Sequence, residues 1–432
     1  MTDLAASPVR PGERIVALDV IRGFAVLGIL VMNVVEFGLP MAAYTDPSVA
    51  GGTTGADLWT WYVQSALFDG RMRALFSMLF GAGIVLIGER AARTASAGAA
   101  DLLLRRCLWL IPFGIVHRFL LQWTGDILYI YGLLGVLAVA FRNLRPRTLL
   151  ALGAAALLAF VPIELRRHSV AAGLRTDAAE AVRLEAAAEP VPAALASART
   201  RWERRNAPHD PNANDAEIAA MRGSWLDVAA LRWEHNHAFQ HAYVYYYFVW
   251  DVLGMVLIGM ALLRIGFFSG RLRTSVYGLA VAAGVAAAAV SLWLAREQAA
   301  SNWSPSELSM RAWRDVLYPW LRGVGGLGWA ALLVLALRTP VARLLTIPLG
   351  AVGRMAFSNY VLQTLLCTTF FFGWGLGRFA TLSRAELMVV VAAASVVQIA
   401  FSVAWLRRFR FGPLEWVWRS LTYGRRQPMA PA

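Results

Sequence analysis

Residues 15–37 read IVALDVIRGFAVLGILVMNVVEF. A helix rises 1.5 Å per residue, so ~20 apolar residues cross the ~30 Å hydrocarbon core of a bilayer. This stretch predicts a transmembrane helix. Its polar side chains, Asp19, Arg22, Asn33 and Glu36, are separated by 3, 11 and 3 residues. At 3.6 residues per turn they fall near one face. Charges are expensive in hydrocarbon, so that face is expected to meet protein or water.

The same reading places ten spans, at 15–37, 72–88, 102–122, 127–141, 148–163, 241–263, 274–295, 320–338, 350–372 and 386–406. The fold class is therefore all-α: a polytopic transmembrane helix bundle with both termini cytoplasmic. Residues 1–163 form an N-terminal module of five spans. Residues 164–240 form an extramembrane, partly helical insertion. Residues 241–432 form a C-terminal module of five spans. The stretch 57–70 is expected in the interface, where Trp59, Trp61 and Tyr62 suit the headgroup layer. A β-barrel would instead show short alternating segments.

Composition agrees. Hydrophobic residues are 58% and charged ones 16%, against roughly 45–50% and about 25% in ordinary globular domains. A soluble domain, a disordered chain and a disulfide scaffold are excluded, the last because there are only 2 cysteines. Cys107 and Cys367 fall inside spans and are expected to be free thiols. The first span has no cleavage site and carries charges, so it is not a removable signal.

All 41 basic residues are arginine, and the net charge is +14. With the N-terminus inside, the cytoplasmic ends hold 22 Arg and 6 acids. The short outer segments hold 9 Arg and 10 acids, and 164–240 holds 10 and 11. The excess follows the positive-inside rule, which removes nucleic acid as a partner.

Polar groups within spans carry the remaining information. Asp19 and Arg22 make either a helix–helix salt bridge or part of a site. Arg106 and His117 are 11 residues apart, again on one face. Asp126 follows in the next turn, and a hairpin would bring its carboxylate back to His117. An imidazole oriented by a carboxylate is a general base; the alternative is a buried His bonded to a backbone carbonyl. His235, His237 and His241 have a metal-like spacing but no Glu or Cys in a metal motif, so they read as an interfacial belt and no metal is expected. Asp251 lies mid-span. Asn359 and Gln363, four apart, serve as helix glue or touch substrate. Glu415 sits among Trp416, Trp418 and Arg419 in an amphipathic segment. Gly81, Gly83 and Gly88 suit close helix packing.

Several motifs together resemble the YeiB family of bacterial membrane proteins: RIVALDVIRGFAVLGILVMN (14–33), FDGRMRALFSMLFGAG (68–83) and HRFLLQWTGDILYIYGLLG (117–135). GRMAFSNYVLQTLLCTTFFFGWGLG (353–377) and RFRFGPLEWVWRSLTYG (408–424) resemble its C-terminal domain of unknown function. The family is grouped with transmembrane acyltransferases and is similar in its first motif to heparan-α-glucosaminide N-acetyltransferases. The resemblance implies acyl transfer from cytoplasmic acyl-CoA to a cell-envelope glycan or lipid, in a bacterial inner membrane. If that reaction is shared, His117 is the candidate base, Asp126 its orienter and Asn33 an oxyanion contact. Asp19, Arg22, Arg105 and Arg106 would bind acyl-CoA; Arg71, Asn359 and Gln363 would bind the acceptor. One departure stands out. Those acetyltransferases carry a catalytic His shortly after the Asn of the first span, and here EFGLPMAAYTDPSVAGG (36–52) has none. The competing readings are a transporter or lipid translocator and a structural factor. A homo-oligomer stays open.

Overall fold

The computed structural model describes residues 15–93, 98–207, 211–238, 248–303 and 308–430. Among them every regular element is helical. Six stretches are long and apolar enough to cross a membrane: Val16–Gly38, Gly55–Ala92, Pro146–Ala186, Thr274–Ala300, Arg314–Ala336 and Arg384–Arg408. The chain is an all-α bundle of a multi-pass membrane protein.

Helix α1 is Val16–Gly38. Next come α2 (Gly55–Val63), a π turn at Gln64–Phe68 and α3 (Arg71–Arg93). The expected interfacial stretch 57–70 is thus joined to the span that follows it, with a break at Gly70, whose φ of 64° suits glycine. Trp59 on α2 is exposed, while Trp61 is buried against Trp303.

Three of the ten expected spans are short or broken, and a fourth is described only in part. Residues 102–122 become α4 (Ala99–Leu108), α5 (Leu110–Ile115) and a π turn at Val116–Leu120. Pro112 lies in α5 and has no N–H for the helical ladder. Residues 127–141 form α6 (Leu128–Ala140), and the described part of 241–263 belongs to α11 (Val249–Arg264). Residues 350–372 split between α14 (Ala342–Arg354) and α15 (Ala356–Phe371). Met355 separates them at φ −114°, ψ 32°. Broken and π-turned helices concentrate at functional sites.

The helix expected to end at 163 does not end there. Helix α7 runs from Pro146 to Ala186. Its outer part is rich in Ala, Arg and Glu, which are good helix formers, and nothing stops it before Pro190. Helix α8 (Ala193–Asn206) packs against it, and α9 (Asp215–Met221) and α10 (Trp225–Ala238) complete the insertion. These last two sit on the bundle. Met41 N–H donates to Glu217 at 3.0 Å, Gln122 Nε2 to the Trp225 carbonyl at 2.8 Å, and Gly373 N–H to the Met221 carbonyl at 2.9 Å.

The remaining helices are α12 (Thr274–Ala300), α13 (Leu308–Ala336), α16 (Arg384–Arg408) and α17 (Pro413–Tyr423). Glycines set the closest crossings. A Cβ on Gly23 or Gly353 would collide with backbone where α1 meets α14, and one on Gly81 or Gly259 would do so where α3 meets α11. Gly83, expected to pack in the same way, faces open space. Cys107 and Cys367 are free and buried.

Candidate functional site

The π turn at Val116–Leu120 carries His117, and the tight link to α6 brings Asp126 back beside it. His117 Nδ1 lies 2.8 Å from Asp126 Oδ1, and both residues are fully buried. Leu128 N–H donates to the same oxygen at 3.2 Å and Tyr129 N–H to the other at 3.0 Å. Both carboxylate oxygens therefore accept, so the imidazole donates from Nδ1. Its Nε2 is then the acceptor. Thr364 Oγ1 lies 2.8 Å from that Nε2, so the Thr364 hydroxyl donates to it. The Tyr360 ring packs edge-on against the imidazole, with centroids 4.9 Å apart. Tyr360 is itself pinned: its hydroxyl accepts from Trp123 Nε1 at 3.0 Å and donates to the Gly125 carbonyl at 3.2 Å.

Two cavities approach this pair from opposite ends of α1. One, of about 240 Å³, is lined by Asp19, Arg22, Arg90, Arg106, Arg354, Glu415 and Arg419 and by apolar residues of α3, α5 and α6. The other, of about 630 Å³, is lined by Asn33, Glu36, Arg73, Asp126, His235 and Tyr318. Ile127 and Tyr360 line both. Asn33 and Arg22 are ~16 Å apart along the helix axis, by the rise per residue. The insertion contributes to the second cavity through His235. Arg232 also donates to the Gln122 carbonyl at 2.5 Å and the Glu36 carbonyl at 3.4 Å. Glu36 accepts from the Thr124 hydroxyl.

Helix α17 lines one side of the first cavity through Glu415, Trp418 and Arg419. Arg106 stacks on Trp418 at 3.5 Å, and Trp418 Nε1 donates to the Arg106 carbonyl at 2.9 Å. Glu415 accepts from Phe357 N–H at 2.7 Å, Ser358 N–H at 3.1 Å and the Ser358 hydroxyl at 2.5 Å. A carboxylate from a separate helix thus caps the first turn of α15, which supports the break at Met355.

The expected site residues divide. Asp19, Arg22 and Arg106 line the first cavity, and Asn33 and Asp126 the second. The Asp19–Arg22 ion pair, at 3.5 Å, lies within α1 and does not bridge helices. Arg105 is not brought to the site; it is exposed and pairs with Asp101 at 3.0 Å. Neighbours on a helix point ~100° apart, so Arg105 and Arg106 cannot both face inwards. Arg71 is buried and donates to Ser65, Ala287 and Ser291, facing a separate cavity of about 190 Å³. Asn359 and Gln363 line neither of the two meeting cavities. Asn359 donates to Ser402 at 2.8 Å, Gln363 to the Val26 carbonyl at 2.9 Å and to Gln398 at 3.2 Å. They join α15 to α16 and α1. Asp251 pairs with Arg322 and, at 3.6 Å, with Arg73.

Thr364 and Tyr360 were not among the residues the sequence singled out. They share the four-residue spacing of Asn359 and Gln363, one position further on, and so form the adjoining stripe of the same helix. His241 lies outside the described residues. His237 is exposed. A third His, His168, lies 3.2 Å from Asp315 and 4.0 Å from Glu164, close enough to share an ion. Arg167 and Arg314 sit on those two carboxylates at 3.4 and 3.6 Å. The cluster is thus a charge-balanced ion-pair network.

The geometry can be set beside known proteins. The chain is 31% identical to the uncharacterized protein YeiB of Escherichia coli K12 over 417 residues, covering 95% of this chain and 96% of that one. The chain belongs to the YeiB family. It is also 28% identical to the uncharacterized protein YxaH of Bacillus subtilis 168, with 98% of each chain covered. Residues 262–425 match the model of a family described as a protein of unknown function, DUF418. That stretch includes α15 and α17 and so one side of both cavities. No solved structure matches the chain.

Proposed function

We propose that this YeiB-family chain is an integral membrane acyltransferase. It crosses the bacterial inner membrane ten times with both termini in the cytoplasm. It moves an acyl group from cytoplasmic acyl-CoA to a hydroxyl or amine of a cell-envelope sugar or lipid. The observation that carries this reading is the shared wall: two cavities from opposite ends of α1 meet at Ile127 and Tyr360, beside the His117–Asp126 pair. A transfer between two sides needs such a meeting point.

The mouth with Arg22, Arg90, Arg106, Arg354 and Arg419 outnumbers its acids, Asp19 and Glu415, and suits the phosphates of CoA. The apolar interior suits an acyl chain. The larger cavity, under α9 and α10, takes the acceptor, and Asn33 is available there to a developing oxyanion. His117, held in one tautomer by Asp126, takes up the proton that acyl transfer releases.

The test is transfer of labelled acyl groups from acyl-CoA to envelope glycans or lipids in membranes. His117→Ala should lower it by ~10²–10⁴-fold, the usual contribution of a positioned base, without loss of insertion. Asp126→Asn should also be impaired, and the double variant should be no worse than His117→Ala, since the pair acts as a unit. Transfer that survives His117→Ala would make His117 structural. A closed wall between two cavities also supports alternating access by a transporter. Release of free CoA by the wild type separates the two, because a transporter has no reason to split a thioester.

A further inference from the structure

A neutral imidazole has one acceptor nitrogen. In His117 that nitrogen is Nε2, because Nδ1 donates to Asp126, and Nε2 already holds the Thr364 hydroxyl at 2.8 Å. A substrate hydroxyl has no free base there. The group placed for deprotonation belongs to the protein. Asp126, His117 and Thr364 stand in the carboxylate–imidazole–hydroxyl order that activates a nucleophile. Their three side chains come from the turn before α6, the π turn after α5 and the broken span, so no local motif assembles them. Tyr360 borders both cavities and stands one turn before Thr364 on the same face of α15, so it lies between them and the buried Thr364 and His117, which line neither.

We propose that Thr364 carries the acyl group between the two cavities as an ester. This rests on the acyltransferase reading. Thr364 Oγ attacks the thioester carbonyl carbon while its proton passes to His117 Nε2. The C–S bond breaks, and the proton returns to the departing CoA thiolate. An ester now joins the acyl group to Thr364. An acceptor hydroxyl or amine from the other cavity then attacks the ester carbonyl, giving its proton to Nε2. The C–O bond to Thr364 breaks, and Oγ takes that proton back. No oxidant or further co-reactant is needed. Thr364 is buried in the resting structure, so each half-reaction requires the packing between Thr364 and one cavity to open. The thioester and the acceptor then never need to occupy one space together.

The experiment uses the full chain in detergent with radiolabelled acetyl-CoA and octanoyl-CoA and no acceptor. The wild type should release a burst of CoA thiol stoichiometric with the chain. The chain has no lysine, so bound label sits on a hydroxyl, a thiol, an imidazole or the N-terminal amine, and an acyl-imidazole, like a thioester, yields to neutral hydroxylamine. An ester resists neutral hydroxylamine and yields to alkaline hydroxylamine, whereas a thioester on Cys107 or Cys367 yields to both. Peptide mass spectrometry should place the ester on Thr364. Thr364→Val keeps the shape and loses the hydroxyl; it should lose the burst and slow transfer in membranes by at least about 10²-fold. Thr364→Ser should restore both. Label on another residue would overturn the proposal, as would near wild-type transfer by Thr364→Val; either result leaves the acyltransferase reading standing. If Thr364→Val fails to fold, the position of the label in the wild type still decides. A wild type that consumes neither thioester removes both readings.

Discussion

Glu415 belongs to α17 but completes the first turn of α15, 57 and 58 positions earlier in the chain. Burial beside the first cavity raises its carboxyl above the ordinary value, against the lowering effect of its bonds to Ser358 and Phe357. A group whose folded pKa is raised adds stability that is complete below the unfolded value and is lost as pH rises through the folded one. The thermal unfolding midpoint in detergent should therefore fall as pH rises from the ordinary carboxyl range towards neutrality. Glu415→Gln should lose part of that slope; an unchanged slope would assign it to another group. Glu415→Ala should lower the midpoint at every pH, because two N–H groups of α15 lose their acceptor, at about 1–3 kcal/mol for each left buried. At this scale the sequence was half legible. His117 and Asp126 are nine residues apart, and a turn between apolar runs is enough to pair them. Thr364 is 247 residues from His117, and no spacing rule spans that distance.

The helices divide by how far hydropathy describes them. The spans at 15–37, 274–295 and 386–406 are continuous in the structure, and none of them contains a proline. Those at 102–122 and 350–372 are broken by single features, Pro112 in one and the distant Glu415 cap in the other. A hydropathy average over ~19 residues does not register them. The same limit applies to Gly81 and Gly83, two residues apart on α3 and alike in sequence. A Cβ on Gly81 falls onto the Val256 carbonyl, while one on Gly83 meets nothing. Gly81→Ala should destabilise the α3–α11 crossing by about 1–3 kcal/mol or more, as overpacking does. Gly83→Ala should leave the unfolding midpoint within about 0.5 kcal/mol of wild type, the range of substitutions that disturb no packing. Gly83 lines the first cavity, so on the proposed function that variant's effect should appear in acyl-CoA affinity. Equal midpoints for the two would refute the crossing.

The whole molecule is a bundle with its chain ends on one side of the proposed topology and its insertion on the other. Arginine distribution is the ground for that topology, because the positive-inside rule counts residues and needs no contacts. The residues it assigns inside, Arg22, Arg90, Arg106, Arg354 and Arg419, line one cavity. Reporter fusions at about residue 200 should read as outside and fusions at the C-terminus as inside. A cytoplasmic signal at 200 would reverse the two cavities and with them the direction of transfer. From sequence, 164–240 reads either as a cap over a substrate or as a solvated connector. Its composition is that of a solvated helical connector, and only the contacts of Glu217, Arg232 and His235 turn it into a cover.

The wall at Ile127 and Tyr360 also shapes the electric field. Water in a cavity on each side would shrink the insulating layer from the ~30 Å of a bare bilayer to the thickness of that wall. Most of the transmembrane voltage then drops across the His117 pair. An elementary charge moved through 100 mV exchanges ~2.3 kcal/mol with the field. A proton that enters the imidazole from one side and leaves towards the other would make turnover of the proposed reaction sensitive to the energised state of the cell.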